Sequence, residues 1–325
     1  MSADEFDIIK SLFAPLAKDA AARGLMDDAA VLVAQGSVVV TTDTVVEGVH
    51  FFPDDPIHLI AKKALRVNLS DIAAKGAVPI GVLLALAWPD MRPSREIARF
   101  ADGLKEDLDH YHAPLIGGDT TATSGPLTIT ITALGTPLGD RVPARSDAQI
   151  GDDVWVTGVI GDAWLGLQVR LGKLDDVSAD DAVTLAQRYQ LPDPPVSFAS
   201  VIARAANAAM DVSDGLLADA EKLANASRKQ LTLELAATPL SEQAQRWVGA
   251  SGDRILDLVA GGDDYQILFT ASPKRRAEIE AAAAVQGFRL TRIGRVEEGA
   301  GLVMLSASGA PLELPLGGFQ HKLGR

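Results

Sequence analysis

The sequence contains no cysteine, which excludes a disulfide framework, a thiolate metal site and a cysteine nucleophile. It also lacks an apolar run of the roughly 18–20 residues that a membrane helix needs. The longest candidate, Ala77 to Trp88, contains Pro79 and Gly81 and is typical of a buried strand. The N-terminus has no basic region followed by an apolar core, so it does not resemble a signal peptide. These absences predict a cytoplasmic protein without a membrane partner.

Basic residues are few relative to acidic ones. Thirty Lys and Arg stand against 43 Asp and Glu, which gives a formal net charge of −13. Proteins that bind nucleic acids normally carry a basic footprint, and none is visible here, so we expect no nucleic-acid partner. A negative surface that keeps the protein dispersed in solution accounts for most of the excess of acidic over basic residues. It does not account for the positions of certain aspartates.

The 325 residues, of which 47% are apolar, are enough for two packed domains. Strand and helix patterns interleave in both halves, which predicts an α/β (α+β) protein with two layers. Between Gly139 and Asp153 the sequence becomes polar and rich in turn formers. We therefore place a domain boundary at about residue 145, between domains 1–145 and 146–325.

Local patterns also predict individual elements. Apolar residues at helical spacing indicate a helix over residues 5–22, and the two runs Ala30–Ala34 and Val38–Thr42 indicate a hairpin. A further helix is expected over residues 195–209. Two glycine-rich segments, 117–120 and 158–162, are either ordinary tight turns or turns whose backbone N–H groups hold an anion. Neither matches a Walker A loop.

Several aspartates follow apolar strands or lie in tight turns, and one, Asp71, lies inside an otherwise apolar predicted helix. They are Asp27, Asp28, Asp43, Asp71, Asp119, Asp211, Asp214, Asp263 and Asp264. Two like charges about 4 Å apart repel by roughly 4 kcal/mol at an effective dielectric of 20, so converging carboxylates must bind cations or take up protons. Hard oxygen ligands without cysteine or paired histidine favour Mg²⁺ and leave Mn²⁺ and Ca²⁺ open. Mg²⁺ usually completes its shell with water and phosphate oxygens. Each aspartate taken alone is more often a cap or turn residue, so spacing leaves both interpretations open.

Seven short segments stand in order between residues 24 and 265. They are residues 24–32 (GLMDDAAVL), 42–51 (TDTVVEGVHF), 63–74, 115–121 (LIGGDTT), 145–152, 211–216 (DVSDGL) and 261–265 (GGDDY). This ordered set resembles the thiamine-monophosphate kinase family, which shares a superfamily with aminoimidazole ribonucleotide synthetase and selenophosphate synthetase. Residues 317–319 are a weaker match.

The resemblance implies a two-domain fold and a reaction. The N-terminal domain is expected to hold a mixed sheet with helices that pairs across a homodimer, and the C-terminal domain to be an α/β sandwich. The implied substrates are ATP and thiamine monophosphate, the cofactors are several Mg²⁺ ions, and the product is thiamine diphosphate. Direct in-line phosphoryl transfer needs no protein nucleophile, since the substrate's own phosphate oxygen attacks.

The same resemblance implies roles for individual residues. The expected metal ligands are Asp28, Thr41, Thr42, Asp43, Asp71, Asp119, Asp211 and Asp214. Ions held by Asp43, Asp71 and Asp119 are expected to bridge the two phosphate chains, which makes these three the catalytic residues. The expected contacts to ATP are Gly118, Asp119, Arg145 and Ser213. The residues expected near thiamine are His50, Asp263 and Phe319.

Two positions depart from the family pattern, and three other functions stay open. Met26 stands where the family usually has glycine, and Asp263 where it usually has glutamate. The alternatives are another ATP-dependent enzyme of the superfamily, a non-catalytic nucleotide-binding relative and a magnesium phosphohydrolase. Selenophosphate synthetase is disfavoured because it typically needs a reactive cysteine or selenocysteine.

Overall fold

The computed structural model describes residues 5–25, 29–30, 32–34, 36–93, 95–174, 176–249 and 254–314, except the side chains of residues 5 and 6. These residues form two compact units. The first takes in residues up to Ile72 together with Ala77–Pro137, and the second takes in Ala73–Gly76 together with residues from Leu138 onward. The domain boundary at about residue 145 stays a prediction.

The first unit is built on a four-stranded mixed sheet in the order β1-β4-β2-β3. Strand β4 lies antiparallel to both β1 and β2, and β2 lies parallel to β3. The strands are β1 (Val39–Val46), β2 (Ala77–Pro89), β3 (Leu115–Thr123) and β4 (Thr128–Pro137). The helices are α1 (Glu5–Ile8), α2 (Ile57–Ala74) and α3 (Arg95–His110).

Helices α2 and α3 cover one face of this sheet. Every second residue from Ile129 to Gly135 is buried, as expected for a strand with one face on the core. Ile72 of α2 lies so close to Gly135 that a Cβ there would come within 2.9 Å of it. On α3, Phe100 makes an edge-to-face contact with Trp88 at 6.2 Å between ring centroids. The residues between the buried ones face the other side.

The N-terminal segment is not the single helix predicted over residues 5–22. After α1 it continues as a π-helical turn over Ile9–Phe13 and 3₁₀ turns over Ala14–Leu16 and Ala20–Leu25. Proline at position 15 has no N–H to donate and interrupts the α-helical ladder. The spacing of apolar residues therefore did not predict the type of helical turn that the segment forms.

The hairpin predicted from Ala30–Ala34 and Val38–Thr42 is wrong. None of the described residues from 29 to 38 forms a strand, and Val39–Thr42 belongs to β1, which pairs with β4. All eight residues of β1 pair with β4, from Val39 opposite Gly135 to Val46 opposite Thr128. This long non-local ladder satisfies more backbone groups than a short local hairpin would.

The second unit holds a six-stranded sheet in the order β10-β7-β9-β5-β8-β6. The strands are β5 (Asp153–Thr157), β6 (Ala208–Val212), β7 (Gln230–Glu234), β8 (Gln266–Ala271), β9 (Leu290–Glu297) and β10 (Gly301–Leu305). The helices are α4 (Asp162–Arg170), α5 (Ala179–Gln190), α6 (Ala199–Ala205), α7 (Leu216–Ser227), α8 (Glu242–Val248), α9 (Ile255–Ala260) and α10 (Arg276–Gln286).

Apolar clusters lie on both faces of the second sheet. One joins Val156 to Leu223 of α7, and the other joins Trp155 to Phe198 and to Ile279 of α10. Neighbouring residues of β5 thus contribute to opposite clusters, which explains why the whole strand is buried. The predicted α/β class with a layered C-terminal domain is confirmed.

The helix predicted over residues 195–209 is also wrong in its second half. Helix α6 ends at Ala205, and Ala208–Val212 forms β6, one of the two edge strands of the second sheet. Every residue of β6 is buried, and a short run that is apolar except for Asp211 does not distinguish a buried strand from a buried helix by periodicity. Within the described ranges, no helix is long and apolar enough to cross a membrane.

A buried ion pair joins α2 to α3. Arg66 donates from Nε to Oδ2 of Asp107 at 2.6 Å and from Nη2 to Oδ1 at 3.0 Å. Asp107 is 2% exposed. The Arg66 guanidinium also lies over the ring of Tyr111, 5.4 Å from its centroid.

We expect Asp107→Asn to lower the free energy of unfolding by about 3 kcal/mol, because it leaves the arginine without its buried partner. Urea denaturation measures this change. The matched control is Asp109→Asn on the same helix, whose partners Lys18 and Lys105 are solvent-exposed and should matter little. Equal effects of the two substitutions would contradict this account of the pair.

Candidate functional site

Two of the predicted metal ligands face each other in the first unit. Asp43 lies on β1 and Asp71 on α2, and the hydroxyl of Thr41 donates to Asp71 Oδ2 at 2.6 Å. Burial, together with the negative charge of Asp71, raises the pKa of Asp43 to about 6. No lysine or arginine in the described part of the chain pairs with either carboxylate. The pair therefore offers oxygen ligands with uncompensated negative charge.

Asn68 connects the helix to the strand at this point, a role that the sequence analysis missed. Its side chain is fully buried. Its Nδ2 donates to the carbonyl of Ala64 at 3.0 Å, which leaves Oδ1 to accept the backbone N–H of Asp43 at 3.0 Å. The available signal was a polar residue one helical turn before Asp71 in an otherwise apolar stretch.

The two threonines before Asp43 point to opposite faces of the sheet. Thr41 shares the helix-covered face with Asp43. The Thr42 hydroxyl lies on the opposite face of the sheet, called the open face below, where it accepts a hydrogen bond from Thr132 at 3.1 Å. Successive side chains of a strand alternate in this way. The first unit therefore brings Thr41, but not Thr42, to the carboxylate pair.

Asp119 also lies on the open face. Strand pairing places Asp43, Ile131 and Leu84 in one row across the sheet, whereas Asp119 is paired with Ala85 in the next row. Strands β1 and β3 are three interstrand steps apart, about 14 Å at the usual spacing. Within one chain, Asp43 and Asp119 therefore do not share an ion.

The segment 117–120, predicted as a turn, is part of strand β3. It pairs in parallel with β2, and Gly118 packs so closely that a Cβ would come within 1.9 Å of the Leu84 carbonyl oxygen. Only glycine fits there. Asp119 lines a cavity of about 910 Å³ between the open face and the N-terminal segment, with Phe13 and Ile116 at the apolar wall.

His50 is held by the loop that follows β1. The backbone N–H of Val46 donates to His50 Nδ1 at 3.1 Å, so this ring nitrogen carries no proton. The carbonyl of His50 accepts a hydrogen bond from Lys63 Nζ at 3.0 Å, and Lys63 is almost fully buried. The loop thereby fixes the tautomer and the position of the imidazole.

In the second unit, two of the predicted segments lie side by side. The backbone N–H of Asp263 donates to the carbonyl of Ser213, and that of Tyr265 to the carbonyl of Val212, both at 2.8 Å. Asp263 and Tyr265 have positive φ angles of 72° and 50°, an uncommon conformation that these two bonds maintain. A Cβ at Gly262 would come within 2.3 Å of the Ser213 oxygen, so this approach requires glycine.

The glycine-rich turn 158–162 is occupied by a side chain of the protein itself. Asp264 Oδ2 accepts the N–H of Gly161 at 2.8 Å, and Oδ1 accepts that of Ala163 at 3.4 Å. Asp264 is buried, and burial raises its pKa well above the ordinary value. These two amides are therefore not available to a phosphate, and the ordinary-turn interpretation is the correct one for them.

Comparisons with known proteins show to which family the chain belongs. The family model of the AIR synthase related protein N-terminal domain matches residues 26–136, and that of the C-terminal domain matches residues 149–305. A thiamine-monophosphate kinase of Caulobacter vibrioides is 41% identical over 305 residues, which cover 92% of this chain and 85% of the relative. The chain belongs to the thiamine-monophosphate kinase family.

Solved structures of the family have the same fold. The thiamine-monophosphate kinase of Stenotrophomonas maltophilia K279a is 37% identical, with a TM-score of 0.82 over 94% of this chain and 97% of that one. AaThiL, whose structure was solved as a complex with AMPPCP and TMP, is 31% identical, with a TM-score of 0.77 over 88% of this chain and 87% of that one.

The residues present fit the divalent cation that the family pattern implies. No three His, Cys, Asp or Glu side chains within the described ranges lie close enough to hold an ion by themselves. The Asp43–Asp71 pair, however, is a set of hard oxygen ligands whose repulsion a cation would relieve. Two carboxylates and a hydroxyl suit Mg²⁺, which takes few protein ligands and keeps water and phosphate oxygens.

The remaining predicted residues lie in the second unit or outside the described residues. Asp211 is buried at the end of β6, and Asp214 on the turn after it forms an ion pair with Lys222. The side chain of Arg145 is exposed and pairs with no residue that the structure describes. Asp28 and Phe319 lie outside the described residues, so their roles stay predictions.

We expect Mg²⁺ to stabilise this protein more at pH 7.5 than at pH 5. The raised pKa of Asp43 means that the folded state holds this proton between about pH 4 and 6 while the unfolded state loses it. Without metal, stability therefore falls as pH rises through that window. Above pH 6 the ionised pair gains an ion, and stability is recovered.

Thermal unfolding at several pH values, with and without Mg²⁺, measures this linkage. Asp43→Asn should flatten the metal-free pH dependence and reduce the stabilisation by Mg²⁺. The control is Asp102→Asn, an exposed carboxylate on α3 that should leave both unchanged. The same Mg²⁺ response in wild type and Asp43→Asn would show that the ion does not use this carboxylate.

Proposed function

We propose that this protein transfers the γ-phosphoryl group of ATP to thiamine monophosphate and so makes thiamine diphosphate. The observation that carries the proposal is the match to a thiamine-monophosphate kinase at 41% identity over 92% of the chain. The structure of AaThiL complexed with AMPPCP and TMP supports a nucleotide as one of the two substrates. The uncompensated carboxylates of the first unit suit a substrate that arrives with metal-bound phosphates.

Phosphoryl transfer requires the protein to align two phosphate groups and to offset their charge. When bound, several Mg²⁺ ions would screen the repulsion between the two phosphate chains. In the first unit Asp43, Asp71 and Thr41 would hold metal; in the second, Asp211 and Asp214 would do so. The remaining predicted ligands are Asp28, Thr42 and Asp119.

The contacts to the two substrates are proposed as follows. The exposed guanidinium of Arg145 would meet ATP phosphates, because a planar fork of donors matches phosphate oxygens. Gly118 and Ser213 would also lie against ATP. The carboxylate of Asp263 would favour the cationic ring of thiamine, and His50 would present its second ring nitrogen to the same substrate.

We further propose that the protein acts as a homodimer in the cytoplasm, where ATP is available. Two features support the dimer: β1 and β3 are the edge strands of the first sheet, and Val40 and Thr44 are exposed on its open face. Asp119 lies on that same face, away from Asp43. A second chain is therefore the simplest source of an Asp119 carboxylate for the Asp43 site.

The purified protein should convert ATP and thiamine monophosphate to thiamine diphosphate only when Mg²⁺ is present, as read by chromatography. Free phosphate formed without the acceptor would instead indicate a phosphohydrolase. Tight binding of ATP without any product would indicate a non-catalytic relative. Turnover with a different phosphate acceptor would indicate another enzyme of the superfamily.

Subunit mixing tests the dimer and the assignment of Asp119 together. Asp43→Asn and Asp119→Asn should each abolish turnover while the protein stays folded. If a site combines Asp43 of one chain with Asp119 of the other, half of the exchanged dimers hold one intact site, and about a quarter of wild-type activity returns.

Light scattering establishes whether dimers form, and thermal unfolding establishes that both variants fold. Dimers that exchange subunits without regaining activity would show that the two carboxylates act within one chain. As a reference, the Asp102→Asn protein, which keeps both Asp43 and Asp119, is mixed with Asp43→Asn in the same protocol. This mixture gives the activity expected when one of the two partners is fully intact.

A further inference from the structure

One buried carboxylate holds the turn that carries Ser213 and Asp214. Asp219, on the first turn of α7, accepts the backbone N–H of Ser213 and that of Asp214, each at 2.9 Å and both at Oδ2. Its side chain is completely buried. A carboxylate in such a position needs partners for its charge, since burial disfavours the ionised form.

Lys222 supplies the compensating charge. Its Nζ donates to Asp219 Oδ1 at 2.8 Å and also pairs with Asp214 Oδ2. The lysine lies one helical turn after Asp219 and is 42% exposed, so its ammonium reaches the buried carboxylate from the surface. The two oxygens of Asp219 are thus divided: one binds the backbone of the turn, and the other binds the lysine.

The turn is held from its other side as well. The carbonyl of Ser213 accepts the N–H of Asp263, while a Cβ at Gly215 would come within 2.6 Å of the Ala260 carbonyl. The backbone N–H groups of Ser213 and Asp214 and the carbonyl of Ser213 are therefore bonded within the protein. The Ser213 hydroxyl makes no hydrogen bond to another described residue, so the side chains of this turn are what it offers to a ligand.

We propose that Asp219 is a positioning residue for the nucleotide and metal contacts of Ser213 and Asp214. It does not touch the substrate; it fixes the backbone from which both side chains project. The inference rests on the proposed function, because it assumes that this turn meets ATP. It adds a residue that sets the affinity for nucleotide without contributing a ligand atom.

The geometry explains why asparagine cannot replace this aspartate. An asparagine has one acceptor oxygen and one donor NH₂ group. If its oxygen kept the two backbone N–H bonds, its NH₂ would face the ammonium of Lys222, donor against donor. If its side-chain amide were rotated so that the oxygen accepted the hydrogen bond from Lys222, the backbone N–H groups of Ser213 and Asp214 would lose their acceptor. In either case the turn is loosened.

The test compares Asp219→Asn with Asp152→Asn. Asp152 is a matched control, because it is 3% exposed and lies in the same unit. It accepts hydrogen bonds from Asn207 and Thr270, which belong neither to the turn that carries Ser213 and Asp214 nor to the segment 261–265 beside it. Calorimetry with AMPPCP at fixed Mg²⁺ gives the nucleotide affinity. Thermal unfolding gives the stability, and steady-state kinetics gives the KM of each substrate.

We expect Asp219→Asn to weaken AMPPCP binding about tenfold or more, the usual effect of losing hydrogen bonds to a charged group. The Mg²⁺ concentration for half-maximal rate should rise, while the KM of thiamine monophosphate stays nearly constant. Asp152→Asn should lose stability to a similar extent but bind AMPPCP like the wild type. Equal nucleotide affinity in all three proteins would overturn the proposal.

Amide hydrogen exchange on the wild-type protein gives a second measurement, which does not depend on a variant that folds. The amides of Ser213 and Asp214 should exchange slowly, and more slowly still with AMPPCP and Mg²⁺. Exchange as fast as in an unstructured peptide would overturn the inference. Failure of the wild type to bind AMPPCP would contradict the proposed function and the inference together, whereas binding unaffected by Asp219→Asn contradicts the inference alone.

Discussion

The repulsion between the carboxylates of Asp43 and Asp71 is the constraint on which the first unit depends. These groups lie on a strand and a helix that cannot move apart freely, because Asn68 bonds the backbone of Asp43 to α2. The helix is in turn attached to α3 through Arg66 and Asp107. The protein therefore keeps two carboxylates close together at a cost in stability: burial, with the negative charge of Asp71 added to it, raises the pKa of Asp43. A bound cation would remove it.

The second unit uses carboxylates in a different way. Asp264 and Asp219 are buried, and both accept backbone N–H groups of turns. Their side-chain oxygens organise the backbone, whereas Asp211 and Asp214 are the carboxylates proposed for metal. The same residue type thus serves for construction or for binding, and the difference lies in what each oxygen contacts.

Much of the fold could be predicted from the sequence, because strands and long helices have strong periodic signals. Strand β4 and helices α2 and α3 illustrate this. The errors were made where a short apolar run has several solutions. Residues 208–212 form a strand because a sheet edge is available to them, and residues 39–42 pair with β4 residues that lie 90 to 96 positions further along the chain. Local patterns carry no information about such distant partners.

For the candidate site, too, some features could be predicted from the sequence and others could not. The residue types, their order and the family to which they belong were legible in the sequence alone, as were the preference for hard cations and the lack of a cysteine nucleophile. Tertiary structure decided which residues meet: it joined Asp43 to Asp71, turned Thr42 and Asp119 to the other face, and placed Asn68 and Asp219 behind the groups they hold. The physical reason is that composition and spacing specify which charges exist, whereas strand register and helix packing determine the distances between them.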